Sequence, residues 1–157
     1  MVDFEGLIGL VKHMTINMIK LVVGVDDLDQ FFEIQQAQQF DYHGQMACPV
    51  YTRFKAKRAE EILKGGSLYR VIKNRIQCRT RILGFEEVET EEKGKMCMIV
   101  VDKDIIQTIS KPKRPFQGWR YLESSAAPKD RGFYLGDGVR DEIPEDMENE
   151  LRDAGLI

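Results

Sequence analysis

The sequence predicts an α+β fold: a single compact domain carrying a mixed, partly closed β-sheet and two or three packed helices. Three observations predict it. A Val/Ile-rich run near the start is followed at once by a helical stripe. A central run alternates strictly between apolar and polar positions. The 157 residues, 43% hydrophobic and 31% charged, suffice for one sizeable core but not for two independent domains.

The elements follow in order. The opening apolar stretch is interrupted by Glu5, Lys12, His13 and Lys20. It has neither the layout of a secretion signal nor the roughly 18 unbroken apolar residues of a membrane helix. Residues 1–13 are read as an N-terminal extension. Ile16 to Gly24 reads as a buried strand. Asp26 or Asp27 then caps a helix whose inward stripe is Leu28, Phe31, Phe32, Ala37 and Phe40. Asp41 to Gly44 is a turn, Val50 to Arg53 a short strand, and residues 55–63 a second helix presenting Ala56, Ala59, Ile62 and Leu63 inward. Gly65 stops that helix.

Two strands are expected next, residues 67–73 and 75–83, breaking near Asn74. The first has mixed faces. In the second, Ile76, Cys78, Thr80 and Ile82 share one face, while Arg75, Gln77, Arg79, Arg81 and Leu83 share the other. A further strand pair covers 85–90 and 95–102, turning at Glu91 to Gly94. Residues 111–132 read as an irregular segment anchored by Phe116, Trp119 and Tyr121. The acidic stretch 136–157 reads as a solvated tail or short helix.

Charge is the main functional signal. The chain is formally −3, yet Cys48 to Arg81 carries Arg53, Lys55, Lys57, Arg58, Lys64, Arg70, Lys73, Arg75, Arg79 and Arg81 against only Glu60 and Glu61. Such local concentration suits an anionic partner whatever the net charge. Arg75, Arg79 and Arg81 would present forked donors to phosphates from one strand face. Lys55, Lys57 and Arg58 would extend the field, with Arg53, Arg70, Lys73 and Arg120 around it. Tyr69 and Trp119 are candidate stacking groups. The expected function is binding of RNA or another phosphate-bearing ligand through a basic face. Two alternatives stay open: a small enzyme with a pocket, for which Cys78, Glu86 and Arg120 are the side chains to watch, and a structural or protein-interaction domain. An ordinary charged surface, paired with Glu60, Glu61, Glu86 and Glu87, explains the same residues without a ligand.

No catalytic residue is assigned. His13 and His43 stand apart from other ligand-type residues, so no metal is expected. Gly65-Gly66-Ser67 falls short of a phosphate loop and reads as a helix-to-strand turn, and no cofactor motif is present. Cys48, Cys78 and Cys97 form no CxxC pair and read as reduced, partly buried thiols of a cytoplasmic protein. No membrane partner is expected, and protein partners and oligomeric state are open.

Four segments together carry a family resemblance: MTINMIKLVVGV from Met14, KRAEEILKGGSLYRVIKNRIQCRTRIL from Lys57, RPFQGWRYL from Arg114, and Ala127-Pro128. On these residues the chain resembles a bacterial family known as domain of unknown function 1489. The resemblance covers roughly Met14 to Asp130 and implies a family domain over 14–135. It implies no activity and no catalytic residue. The family commonly has tryptophan where this chain has Arg70, glycine where it has Asn74, and histidine where it has Val50. The order of elements also resembles the RNA-associated PUA-like barrels.

Overall fold

The structure, a computed structural model, describes residues 15–136. The N-terminal extension and the acidic tail or short helix lie outside the described residues. Within them, nine strands and two helices run β1 (Ile16–Leu21), α1 (Leu28–Ala37), β2 (Phe40–Tyr42), β3 (Gln45–Thr52), α2 (Ala59–Ile62), β4 (Ser67–Ile72), β5 (Arg75–Thr90), β6 (Gly94–Asp102), β7 (Ile105–Pro112), β8 (Trp119–Glu123) and β9 (Asp130–Tyr134). A 3-10 turn occupies Ser124–Ala126.

All nine strands belong to one mixed sheet. Its main path runs β2-β3-β6-β5-β4-β1-β8, and β7 joins β5 to β9. Only the β1–β4 pair is parallel. The sheet stays open, ending at β2 and β8, so it makes no closed barrel among the described residues.

Strand β5 holds two wings together. Its first half lies between β4 and β7, and its second half pairs with β6. The predicted strand 75–83 and the following 85–90 are thus one strand of 16 residues. Two bulges replace the expected break. Opposite β4, Arg70 faces Cys78 but Val71 faces Ile76, leaving Gln77 as the extra residue. Opposite β6, Ile82 faces Val101 and Gly84 faces Val100, leaving Leu83 extra. A Cβ at Gly84 would lie 2.2 Å from the Tyr42 hydroxyl, so a side chain there would have to displace that ring.

Strand β4 is buried at every position, which explains its two mixed faces. On one face, Ile16, Met18 and Leu68 pack with Cys48, Val50, Ile99 and Val101 of the other wing, under Ala56 and Ile62. Beside them, α1 lays Leu28 and Phe31 on Ile72, Cys78, Ile105 and Tyr134. The opposite face carries Ile19, Tyr69, Val71, Ile76 and Leu122, covered by Phe116 and Ala127.

Asp27 caps α1 by accepting from the Gln30 N–H at 2.9 Å. The helix ends at Ala37, so Phe40 starts β2 instead of closing the stripe. Gln35 takes a buried place there, and its carbonyl accepts from Cys48 Sγ at 3.2 Å. The second helix is a single turn, with no side-chain cap before Ala59. Residues 53–58 are an exposed loop except for Ala56. The segment expected to be irregular contains β8, paired antiparallel with β1, and leads into β9. Strand β7 forms where no element is expected before residue 111, and it runs into the start of the segment expected to be irregular. No helix among the described residues is long and apolar enough to cross a membrane.

Gly66 is the tightest backbone crossing. A Cβ there would sit 2.3 Å from the Ile16 carbonyl oxygen and 2.6 Å from that of Ile62. Backbone cannot rotate away as a side chain can. Gly66→Ala is therefore expected to cost about 3 kcal/mol or more in urea unfolding, at the upper end of overpacking penalties. Gly44→Ala, with φ +88° and open space around it, should cost only about 1 kcal/mol.

Candidate ligand-binding site

A cavity of about 330 Å³ lies on the face of the sheet opposite α1. Its wall comes from neighbouring strands: Asn17 of β1, Ser67 and Tyr69 of β4, and Arg79 of β5. Strand alternation puts them on one side, since Ser67 stands opposite Arg81 and Tyr69 opposite Arg79. The connection from β8 to β9 closes the other side with Ser124, Ala127, Pro128, Lys129 and Asp130, while Thr15 and Gly65 complete the rim.

Asn17, Ser67 and Arg79 are held in the wall by hydrogen bonds. Arg79 donates Nε–H to Asp130 Oδ1 at 2.8 Å and Nη2–H to Asp130 Oδ2 at 2.7 Å. Its Nη1 donates to Ser67 Oγ at 2.7 Å. Burial works against the guanidinium charge, but the Asp130 bonds and charge more than offset it, and the Arg79 pKa lies above its ordinary value. Asn17 is nearly inaccessible: its Oδ1 accepts from the Ser67 N–H at 2.9 Å and its Nδ2 donates to Ser124 Oγ at 3.3 Å. Ser124 in turn donates to the Thr15 carbonyl at 2.9 Å.

Donors remain after these bonds are made. Three of the five Arg79 N–H groups are used, leaving two without a partner among the described residues. Ser67 Oγ accepts from Arg79 and keeps its own hydrogen to give. The Tyr69 hydroxyl has no hydrogen-bond partner among the described residues, and burial raises its pKa, with Arg79 opposing and Asp130 reinforcing the shift. It therefore stays a protonated donor at neutral pH. Lys129 adds an exposed ammonium at the rim.

The expected arginine row does not form. The bulge at Gln77 changes which way the earlier residues point. Arg75 stands opposite Ile72, which packs under α1, whereas Arg79 and Arg81 stand opposite Tyr69 and Ser67 on the other face. Arg75 bonds Ser110 through its hydroxyl, and through its carbonyl at 3.3 Å. Arg81 is exposed with no partner among the described residues.

Arg70 is the largest departure from a surface role. It is 6% exposed, donates to the carbonyls of Lys20 and Leu21 at 3.2 and 3.3 Å, and lies 5.3 Å from the Phe31 ring centroid. Burial lowers its pKa to about 10, so it remains charged at neutral pH while tying β1 to α1.

Other predicted site residues lie apart from the cavity. Lys73 pairs with Asp26 at 2.9 Å on the surface. Trp119 packs edge-on to Tyr121, and Arg58 lies 5.6 Å from the Tyr121 centroid while pairing with Glu61. Arg120 stands 4.6 Å from the Phe116 centroid. Arg53, Lys55 and Lys57 are exposed on the loop after β3. Of the proposed site set, the cavity gathers only Tyr69 and Arg79.

Sequence reasoning missed Asn17, Ser124, Lys129 and Asp130 because no local motif joins them, and it read Ser67 only as part of the helix-to-strand turn Gly65-Gly66-Ser67. The recognised Ala127-Pro128 dipeptide was the one signal that this connection is a shaped element. Cys78, Glu86 and Arg120 do not gather around a pocket. Cys78 is in the core, with its thiol pushed up to about 12 by burial, and Glu86 accepts from Tyr42 at 2.7 Å on the other wing. All three cysteines are free and buried.

The Arg79–Asp130 pair is bidentate and mostly shielded, with side-chain exposures of 22% and 34%. A double-mutant cycle of Arg79→Ala and Asp130→Ala by urea unfolding should give a coupling of about 1–2 kcal/mol, between the ranges for exposed and fully buried pairs. Additivity would show that the pair does not hold the β9 end in place.

A family model described as protein of unknown function (DUF1489) matches residues 18–157, a span that includes the acidic C-terminal stretch. No curated protein and no solved structure matches the chain.

Proposed function

The chain belongs to the DUF1489 family, and from that premise we propose that it is a binding domain for a small phosphate-bearing ligand held in the cavity beside Arg79. The observation that carries this reading is the excess of donors among the residues lining one cavity: Arg79 keeps two N–H groups without a partner among the described residues, and Tyr69, Ser67 and Lys129 line the cavity with it. Its only carboxylate among the described residues, Asp130, has both oxygens engaged by Arg79. Such a set favours an oxyanion over a cation or an apolar molecule. The PUA-like likeness rests on element order alone, and a fold by itself assigns no ligand. Free, buried thiols suit the cytoplasm, the compartment we assign.

The ligand chemistry is tested by calorimetry at low salt with inorganic phosphate, nucleoside monophosphates and citrate. Phosphate-bearing compounds should bind, and Tyr69→Phe should weaken them about tenfold, the effect of one hydrogen bond to a charged acceptor. The same variant should change stability by less than about 0.5 kcal/mol, because the hydroxyl has no partner among the described residues to lose. Equal or tighter citrate binding would assign a carboxylate ligand instead. No binding by any of these at millimolar concentration would overturn the reading.

A further inference from the structure

A second groove lies on the other wing, between the loop after β3 and the middle of the β5–β6 hairpin. Phe54 is 73% exposed there. Its backbone is held, since Thr52 Oγ1 donates to the Phe54 carbonyl at 3.2 Å. The Arg53 guanidinium stands 6.0 Å from the ring centroid. Beneath them runs a groove of about 350 Å³, with Phe85, Met96 and Cys97 in its walls and Lys55 on its rim. The groove shares no residue with the Arg79 cavity.

Its acids are already engaged. Glu86 accepts from the Tyr42 hydroxyl at 2.7 Å, and Glu87 pairs with Lys95 at 3.7 Å. Arg53, Lys55 and the following Lys57 have no carboxylate partner among the described residues. An exposed aromatic ring and three cations without a carboxylate partner among the described residues therefore occur within five consecutive positions of one loop, beside a groove of mixed polar and apolar lining.

We propose that this loop binds single-stranded nucleic acid, with a base stacked on Phe54 and the flanking phosphates on Arg53, Lys55 and Lys57. A ring face accepts any base, and a charged loop follows a backbone without reading sequence. The base must be free of its helix to reach the ring, so single strands are bound in preference to duplexes.

The test is fluorescence anisotropy with labelled uridine and deoxythymidine homopolymers, a duplex of mixed sequence, and polyglutamate as a competitor. Both single strands should bind more tightly than the duplex. Phe54→Ala, an exposed substitution that leaves the core untouched, should weaken them roughly tenfold. Three phosphate contacts predict about a twentyfold loss between about 50 and about 200 mM salt. Arg53→Ala should flatten that slope, and Tyr69→Phe should leave single-strand binding unchanged, which separates this site from the cavity. Phe54→Ala without effect, displacement by polyglutamate as effective as by unlabelled single strand, or equal affinity for duplex would overturn the assignment.

Discussion

The side-on fork between Arg79 and Asp130 joins the middle of the sheet to the connection that closes the cavity over it. One end sits on β5, the strand common to both wings, and the other opens β9. A guanidinium taken partly out of water needs such a partner, or its charge would be costly to bury. The same geometry commits the carboxylate and leaves further guanidinium donors without a partner among the described residues. The pair thus shapes the cavity and makes its interior donor-rich.

Strand β5 makes this arrangement possible through its bulges. The extra residue at Gln77 sends Arg75 to one face and Arg79 and Arg81 to the other. It also lets Ile76 join the core beneath Phe116, while Cys78 joins the core under α1. The second bulge, at Leu83, precedes the stretch that pairs only with β6. A regular strand would have kept the three arginines together and given one continuous apolar face.

Much of the fold was legible in the sequence. The strand at Ile16, the Asp27-capped helix and the alternation around Thr80 are local patterns, and each formed close to its expected place. What escaped were features set by distant partners. A bulge depends on the register of β4 against β5, and no local pattern at Gln77 announces it. Strand β8 forms because β1 offers a free edge, although Pro115 and Gly118 precede it. Arg70 looked like a surface cation and is buried, since both faces of β4 are covered and two backbone carbonyls await its donors. The cavity draws its walls from β1, β4, β5 and the β8–β9 connection, so charge density along the chain pointed to its arginine and tyrosine but not to its polar frame.

The central claim is that Arg79 is fixed by Asp130 while still offering donors to the cavity. Nitrogen-15 NMR of arginine side chains tests it most directly. The account predicts a resolved Arg79 Nε–H resonance that exchanges slowly with water, vanishes into the exposed population in Asp130→Asn, and shifts when inorganic phosphate is added. An Arg79 Nε–H that exchanges as fast as that of exposed Arg81, and ignores both the substitution and phosphate, would contradict it.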